Sequence, residues 1–247
     1  MKSHEIIFTS LMLLPLITAS ACSKNVPTLK DKNSTSISET SITKETISTK
    51  QKMEELYKDK SGFGINNEEC DHIIKEGGAP TYGEILYESV EKIINKVKPT
   101  KKDVFVDLGS GIGKVAVQFR LSTNIKEAFG VELSQTRVKH ALSVKSELIK
   151  QHLVANKKGK KLNFYEQNIL NANLKNVTIA FMCATCFSED LMRKITQKLA
   201  TECKIGLKLI TLKKLPENKW FKFEKEMTLP MTWSSGSSVY FYKLIVK

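Results

Sequence analysis

From about residue 51 the chain alternates between two apolar rhythms. Ile85, Val90, Ile93, Ile94 and Val97 recur at helical spacing, and Pro99 follows the end of that helix. Val104-Phe-Val-Asp-Leu108 is a short run of β-formers that ends in glycines, and it predicts a strand. The pattern then continues as a helix over 114–122, a strand over 128–132 and a long helix over 135–156, where Val138, Leu142, Leu148, Ile149 and Leu153 are apolar. Strands follow over 162–166 and 177–182, then a helix from the cap Ser188 to about residue 200, with Glu189 and Asp190 at its positive end. Another strand is predicted over 205–212. Two more, 225–229 and 239–246, have no helix between them and so predict an antiparallel hairpin at a sheet edge. The fold class is α/β, a seven-stranded, mostly parallel sheet with helices on both faces.

The first 50 residues follow neither rhythm. Lys2 and His4 precede an apolar run from Ile6 to Ala21, interrupted by Pro15. Those 16 residues would span about 24 Å as a helix, short of the roughly 30 Å hydrocarbon core. A cleavable signal peptide over 1–22 fits better than a permanent span. Ala19, Ser20 and Ala21 stand directly before Cys22, an order that resembles a bacterial lipoprotein signal and makes Cys22 the candidate membrane anchor. Residues 23–50 are rich in Ser, Thr, Lys and Glu and hold too few apolar groups to offset the entropy of ordering, so they read as a linker to a domain over 51–247.

Composition adds a charge argument. Among 247 residues, 39 are basic and 26 acidic, for a net charge of +13, which draws the chain toward polyanions. Only Arg120, Arg137 and Arg193 carry the planar fork that suits phosphate and base recognition. Lys157, Lys158, Lys160 and Lys161 form a basic run that is either a nucleic-acid contact or a solvated loop. Cys183-Ala-Thr-Cys186 has redox or zinc spacing, but it ends an apolar strand and no second such pair exists, so small strand-end residues are the preferred reading and no metal is expected.

The strongest chemical signal is Asp107-Leu108-Gly109-Ser110-Gly111-Ile112-Gly113, between a predicted strand and a helix that opens on Lys114. The spacing is Gly-x-Gly-x-Gly, one residue shorter than the dinucleotide fingerprint, which leaves less loop to wrap a pyrophosphate. A carboxylate at Asp107 repels a diphosphate and suits a ligand carrying an ammonium or sulfonium, which is S-adenosylmethionine. Glu132, at the end of the second strand, is placed to accept ribose hydroxyls. Together these features predict the cofactor site of a class I methyltransferase. At the third strand's exit, Asn168 is a candidate for the adenine amino group and Ile169 for packing on the ring.

Tyr82-Gly83-Glu84, the glycine loop from Val104 to Gly113, Gly130-Val-Glu132 and the C-terminal stretch from Leu229 to Tyr242 resemble the disruptor-of-telomeric-silencing (Dot-one) histone lysine methyltransferases. The likeness covers about residues 62–246. It implies that Tyr82, Gly83 and Glu84, with Ile85 beside them, close over the methionine end of the cofactor. It also implies a protein substrate such as histone H3 or a nucleosome, and a monomer. This sequence departs from the family at two places: Cys183-Ala184-Thr185-Cys186-Phe187 stands where Asn-Asn-Phe is usual, and Asn168 stands where Asp is usual. Thr185 or a backbone carbonyl is the candidate replacement for the missing Asn.

Methyl transfer to lysine first requires loss of the ammonium proton, which costs about 4.6 kcal/mol at pH 7 from a reference pKa of ~10.4. An apolar channel lowers that cost, and Phe187, Trp233, Val239, Phe241 and Tyr242 are the candidates to line it, with Tyr82 at the reacting end. Competing readings are a methyltransferase for another protein, a small molecule or RNA, and a non-catalytic exported protein that keeps the fold. The N-terminus predicts export, as a membrane-anchored lipoprotein or a secreted effector, with a cytoplasmic location if the signal does not function.

Overall fold

A computed structural model describes residues 47–155 and 161–247. The expected signal segment with Cys22, nearly all of the expected linker, and Lys157, Lys158 and Lys160 lie outside the described residues.

Helix α1 (Thr49–Tyr57) opens on a capping box in which Ser48 and Gln51 satisfy each other's backbone amides. Helix α2 (Asn67–Lys75) is capped by Asn66, and α3 (Tyr87–Val97) buries Val90, Ile93, Ile94 and Val97 along one face. The alternating core follows: β1 (Val104–Leu108), α4 (Lys114–Ser122), β2 (Glu127–Glu132), α5 (Gln135–Lys150) and β3 (Lys161–Glu166). A single 3-10 turn (Ile169–Asn171) leads to β4 (Ile179–Met182), α6 (Glu189–Glu202), β5 (Lys208–Thr211), β6 (Phe221–Met231) and β7 (Ser234–Leu244).

The seven strands form one sheet in the order β3-β2-β1-β4-β5-β7-β6, parallel except for β7, which runs antiparallel to both of its neighbours. Every residue of β1 and β4 is buried, as expected for parallel strands covered on both faces. Successive residues of β1 feed opposite layers. Phe105 packs under α3 and α4, stacked on Phe119 with centroids 3.8 Å apart, while Val104, Val106 and Leu108 join Leu191, Ile195 and Leu199 of α6. Strand order reverses between β1 and β4, so the carboxyl ends of β1 to β4 open on one crevice.

Several predicted boundaries shift for local reasons. Helix α5 stops at Lys150, because His152 adopts φ 56° and the amide of Leu153 turns back to the Leu148 carbonyl. That reversal buries Val154 instead of extending the helix to residue 156. Strand β5 starts at Lys208, after Gly206 makes a turn at φ 96° whose amide bonds the Leu244 carbonyl. The final hairpin is longer than its apolar pattern suggested. The outward residues of β6 from Lys222 to Glu226 are exposed and mostly polar, which hid that part of the strand from a hydropathy reading.

Candidate functional site

A cavity of about 490 Å³ lies at the carboxyl ends of β1, β2, β3 and β4. Its floor is the loop after β1. The amides of Gly109 and Ser110 both bond the Val131 carbonyl, at 2.9 and 3.1 Å, which fastens the loop to the end of β2. Glu132 holds the next turn: Oε2 accepts the Gly111 amide at 2.8 Å, and Oε1 accepts the amides of Leu133 and Ser134 at 3.0 and 2.9 Å. A carboxylate offers about four lone pairs, so these amides leave acceptor capacity on Oε2. The Arg137 guanidinium stands 3.9 Å from Oε1, inside the protein.

Asp107 also lines the cavity and is 2 % exposed. No hydrogen bond reaches its carboxyl among the described residues. Burial pushes this carboxyl well above the usual carboxylate range, and the neighbouring Glu132 charge adds to the effect. A group in that state gains most from a cationic ligand.

Tyr82 is clamped from several sides. Its hydroxyl donates to Glu84 Oε1 at 2.8 Å, and Glu84 Oε2 accepts from Lys114 Nζ at 2.6 Å. The Arg137 guanidinium lies 4.8 Å from the ring centre, and Phe63 meets the ring edge-on at 5.0 Å. The ring fills space that a side chain at Gly111 would need. Burial and the Glu84 carboxylate push the Tyr82 phenol far above its ordinary value, so it stays a hydrogen-bond donor. The segment is held against the β6–β7 turn: Glu84 exchanges hydrogen bonds with Thr232, and Ile85 pairs with Met231. Gly83 is required there, because a Cβ would stand 2.7 Å from the Trp233 ring that lies across it.

At the β3 exit, Asn168 caps the 3-10 turn through Oδ1, which accepts the Leu170 amide at 2.9 Å. Its Nδ2 donates to both the carbonyl and Oε2 of Glu76, each at 3.1 Å. After β4 the chain turns sharply at Ala184, φ 55°, with the Phe187 amide bonded to the Ala184 carbonyl. This places Cys183, Thr185 and Phe187 on the cavity wall, with Thr185 Oγ1 3.9 Å from the sulfurs of both Cys183 and Cys186. The four described cysteines are free thiols, and burial pushes the Cys183 thiol up.

Of the residues singled out from sequence, the cavity brings together Tyr82, Gly83, Glu84, Ile85, Asp107, Leu108, Gly109, Ser110, Gly111, Lys114, Glu132, Asn168, Ile169, Thr185, Phe187 and Trp233. Four do not belong there. Gly113 starts α4 at φ 88° and packs on Phe164 and Ala141, where a Cβ would stand 2.6 and 3.1 Å away, so it serves helix–sheet packing. Val239, Phe241 and Tyr242 are also core residues. Adjacent on β7, the last two point into opposite layers, Phe241 with Val239 toward α3 and α4 and Tyr242 toward the α6 side, where its hydroxyl accepts the Leu215 amide. The expected aromatic channel therefore reduces to Trp233 and Phe187.

The model of the family described as "Histone methylation protein DOT1" matches residues 74–234, which takes in the whole cavity wall except Phe63 and Ile73. The chain belongs to this family. Among its curated relatives is an H3 lysine-79 specific histone-lysine N-methyltransferase of Caenorhabditis elegans, 31% identical over 157 residues, or 62% of this chain and 16% of that protein. Another is a protein-lysine N-methyltransferase of Saccharolobus islandicus, 26% identical over 110 residues, 44% of this chain and 64% of that protein. The chain thus spans about a sixth of the nematode relative. An RNA methyltransferase of Salinibacter ruber, solved with S-adenosyl-L-homocysteine, overlays with a TM-score of 0.48 at 16% identity, covering 64% of this chain and 91% of that one.

Within this DOT1 domain, sequence reasoning passed over Arg137, although it is one of only three arginines in the chain. Its Nε donates to the Gly62 carbonyl and its Nη2 to the Pro80 carbonyl, at 2.9 and 2.6 Å. It therefore ties the β2 carboxylate to the segment that carries Tyr82. Glu76 was missed for a plainer reason: it ends a polar helix, and nothing in its spacing points to a ligand.

Proposed function

We propose that this chain is an S-adenosylmethionine-dependent protein lysine methyltransferase. The observation that carries the reading is the Asp107 carboxyl, buried against a glycine loop without a hydrogen-bonding partner among the described residues, in a chain of the DOT1 family. The Asp107 carboxyl beside the glycine loop disfavours a dinucleotide's diphosphate and favours a nucleoside that carries an ammonium and a sulfonium.

The cofactor would supply an electrophilic methyl group for direct displacement by an amine. Asp107 would hold its ammonium, and Glu132 would use its remaining acceptor capacity on a ribose hydroxyl. Ile169, 8 % exposed, offers an apolar surface to the base. Tyr82, fixed by Glu84, Arg137 and Phe63, closes the cavity over the methionine end and excludes water. On the acceptor side, Trp233 and Phe187 supply apolar wall, which disfavours the ammonium and lowers the cost of the neutral nucleophile. Thr185 Oγ1 is the side-chain acceptor on that wall that can orient an amine N–H. Alignment of amine, methyl and sulfur supplies the remaining acceleration.

The acceptor we propose is a lysine of a protein, with histone H3 as first candidate. The purified chain, incubated with methyl-labelled cofactor, should transfer label to nucleosomes, free H3 or proteins of a cell lysate. Label that stays in the cofactor with every acceptor, despite tight binding, would overturn the lysine reading. Residues 1–22 are proposed to direct export, so the acceptor would then lie in a compartment that itself supplies the cofactor, such as a host cytosol. Fractionation that finds the uncleaved chain only in the producing cell's cytoplasm would reject that part.

A further inference from the structure

At the β3 end of the cavity position 168 carries an amide, and a carboxylate approaches it from the other wall: Glu76, the C-cap of α2. We propose that Glu76 is the adenine-specificity residue of this site, accepting the exocyclic amino group of the cofactor's base, while Asn168 positions it. The inference rests on the cofactor reading above.

Three observations support the assignment. Glu76, Asn168 and Ile169 line the same end of the cavity, next to Glu132, the ribose candidate. Asn168 is the weaker acceptor, because its Oδ1 is a neutral amide oxygen already engaged by the Leu170 amide and its Nδ2 is a donor. That Nδ2 grips Glu76 twice, at the main-chain carbonyl and at Oε2, which leaves the other carboxylate oxygen and further lone pairs for a ligand donor. An adenine amino group is a donor and fits a carboxylate, whereas the 6-oxo group of hypoxanthine would meet it lone pair to lone pair.

The arrangement also accounts for the Asn. An Asp at 168 would set two carboxylates about as close as the present 3.1 Å contact, and both could not remain ionised at low cost. Glu76 is exposed, so changing its side chain leaves the core intact.

The test measures binding of S-adenosylhomocysteine and S-inosylhomocysteine by calorimetry to the full chain and three variants. The wild type should prefer the adenosyl compound at least tenfold. Glu76→Gln should reduce that preference to less than about threefold, because a glutamine amide can turn to donate to the 6-oxo group. Asn168→Asp alone should weaken adenosyl binding about tenfold through like-charge repulsion. The double variant, Glu76→Gln with Asn168→Asp, should recover both affinity and preference. An unchanged adenosyl-to-inosyl ratio in Glu76→Gln, or a double variant no better than Asn168→Asp, would overturn the proposal. A wild type that binds neither nucleoside would instead remove the cofactor reading on which it stands.

Discussion

Asp107 is where function and stability pull against each other at the residue scale. Its carboxyl has a folded-state pKa raised above the unfolded value by burial and by Glu132. Any stability it contributes is therefore fully present below the unfolded pKa and is lost as pH rises through the folded value. Above that folded value the ligand-free fold carries a buried charge it would be more stable without. Asp107→Asn should accordingly raise the melting temperature of the ligand-free chain while weakening S-adenosylmethionine binding at least tenfold. Calorimetry and thermal melts on the same samples check both signs, and a variant that loses stability and keeps affinity would reverse the assignment. The same logic gives a pH dependence: affinity for the cationic cofactor should fall as pH drops through the raised Asp107 value. Asp107 and Glu132 were legible in sequence because each ends a predicted strand close to a glycine. Arg137 was not, since its contacts come from residues 62, 80, 82 and 132, which only the fold brings together.

Elements explain where sequence reading ran out. Apolar rhythm finds a strand, but it does not say which layer each face meets until the neighbours on both sides are known. Phe241 and Tyr242 look alike in sequence as channel aromatics, yet adjacent β7 residues must point apart. Helices α1 and α2 escaped the hydropathy pattern because they bury only three residues and one residue respectively, and capping rather than amphipathicity marks their starts. Gly113→Ala should destabilise the domain by about 1–3 kcal/mol, since the left-handed conformation at φ 88° strains any side chain and the new Cβ would press on Phe164. Cofactor affinity per folded molecule should change little, because Gly113 lies outside the cavity; urea unfolding beside calorimetry separates the two effects. Phe241→Ala should cost about 3–5 kcal/mol as a core truncation. Trp233→Ala, at a half-exposed turn, should instead lower methyl transfer with little change in melting temperature. If Phe241→Leu slowed turnover while unfolding normally, the channel would have to be extended back to β7.

For the whole molecule, the question is what a net charge of +13 can recognise. Arginine would argue for shaped phosphate recognition, but two of the three are buried and the third is a single surface residue. Arg120 is buried and caps its own helix through the carbonyls of Thr123 and Ile125, Arg137 is committed inside the site, and Arg193 pairs with Glu189 one turn away. Any attraction to a polyanion would therefore rest mainly on lysine, a flexible point charge without a fork. Such binding is sequence-independent and strongly salt-dependent, which suits delivery to a nucleosome surface better than selection of a base sequence. The run Lys157, Lys158, Lys160 and Lys161 is the densest local source, and only Lys161, at the start of β3, falls among the described residues. Replacing all four with alanine should shallow the log–log salt dependence of nucleosome binding by roughly 0.9 for each phosphate that is no longer neutralised, up to about 3–4. Cofactor affinity should be unchanged, because Lys161 stands outside the cavity wall. A filter-binding series from roughly 50 to 200 mM salt reads the slope directly. An identical slope in the variant would move the polyanion site elsewhere on the surface, and weak, salt-insensitive binding by the wild type would point to a free protein as the acceptor.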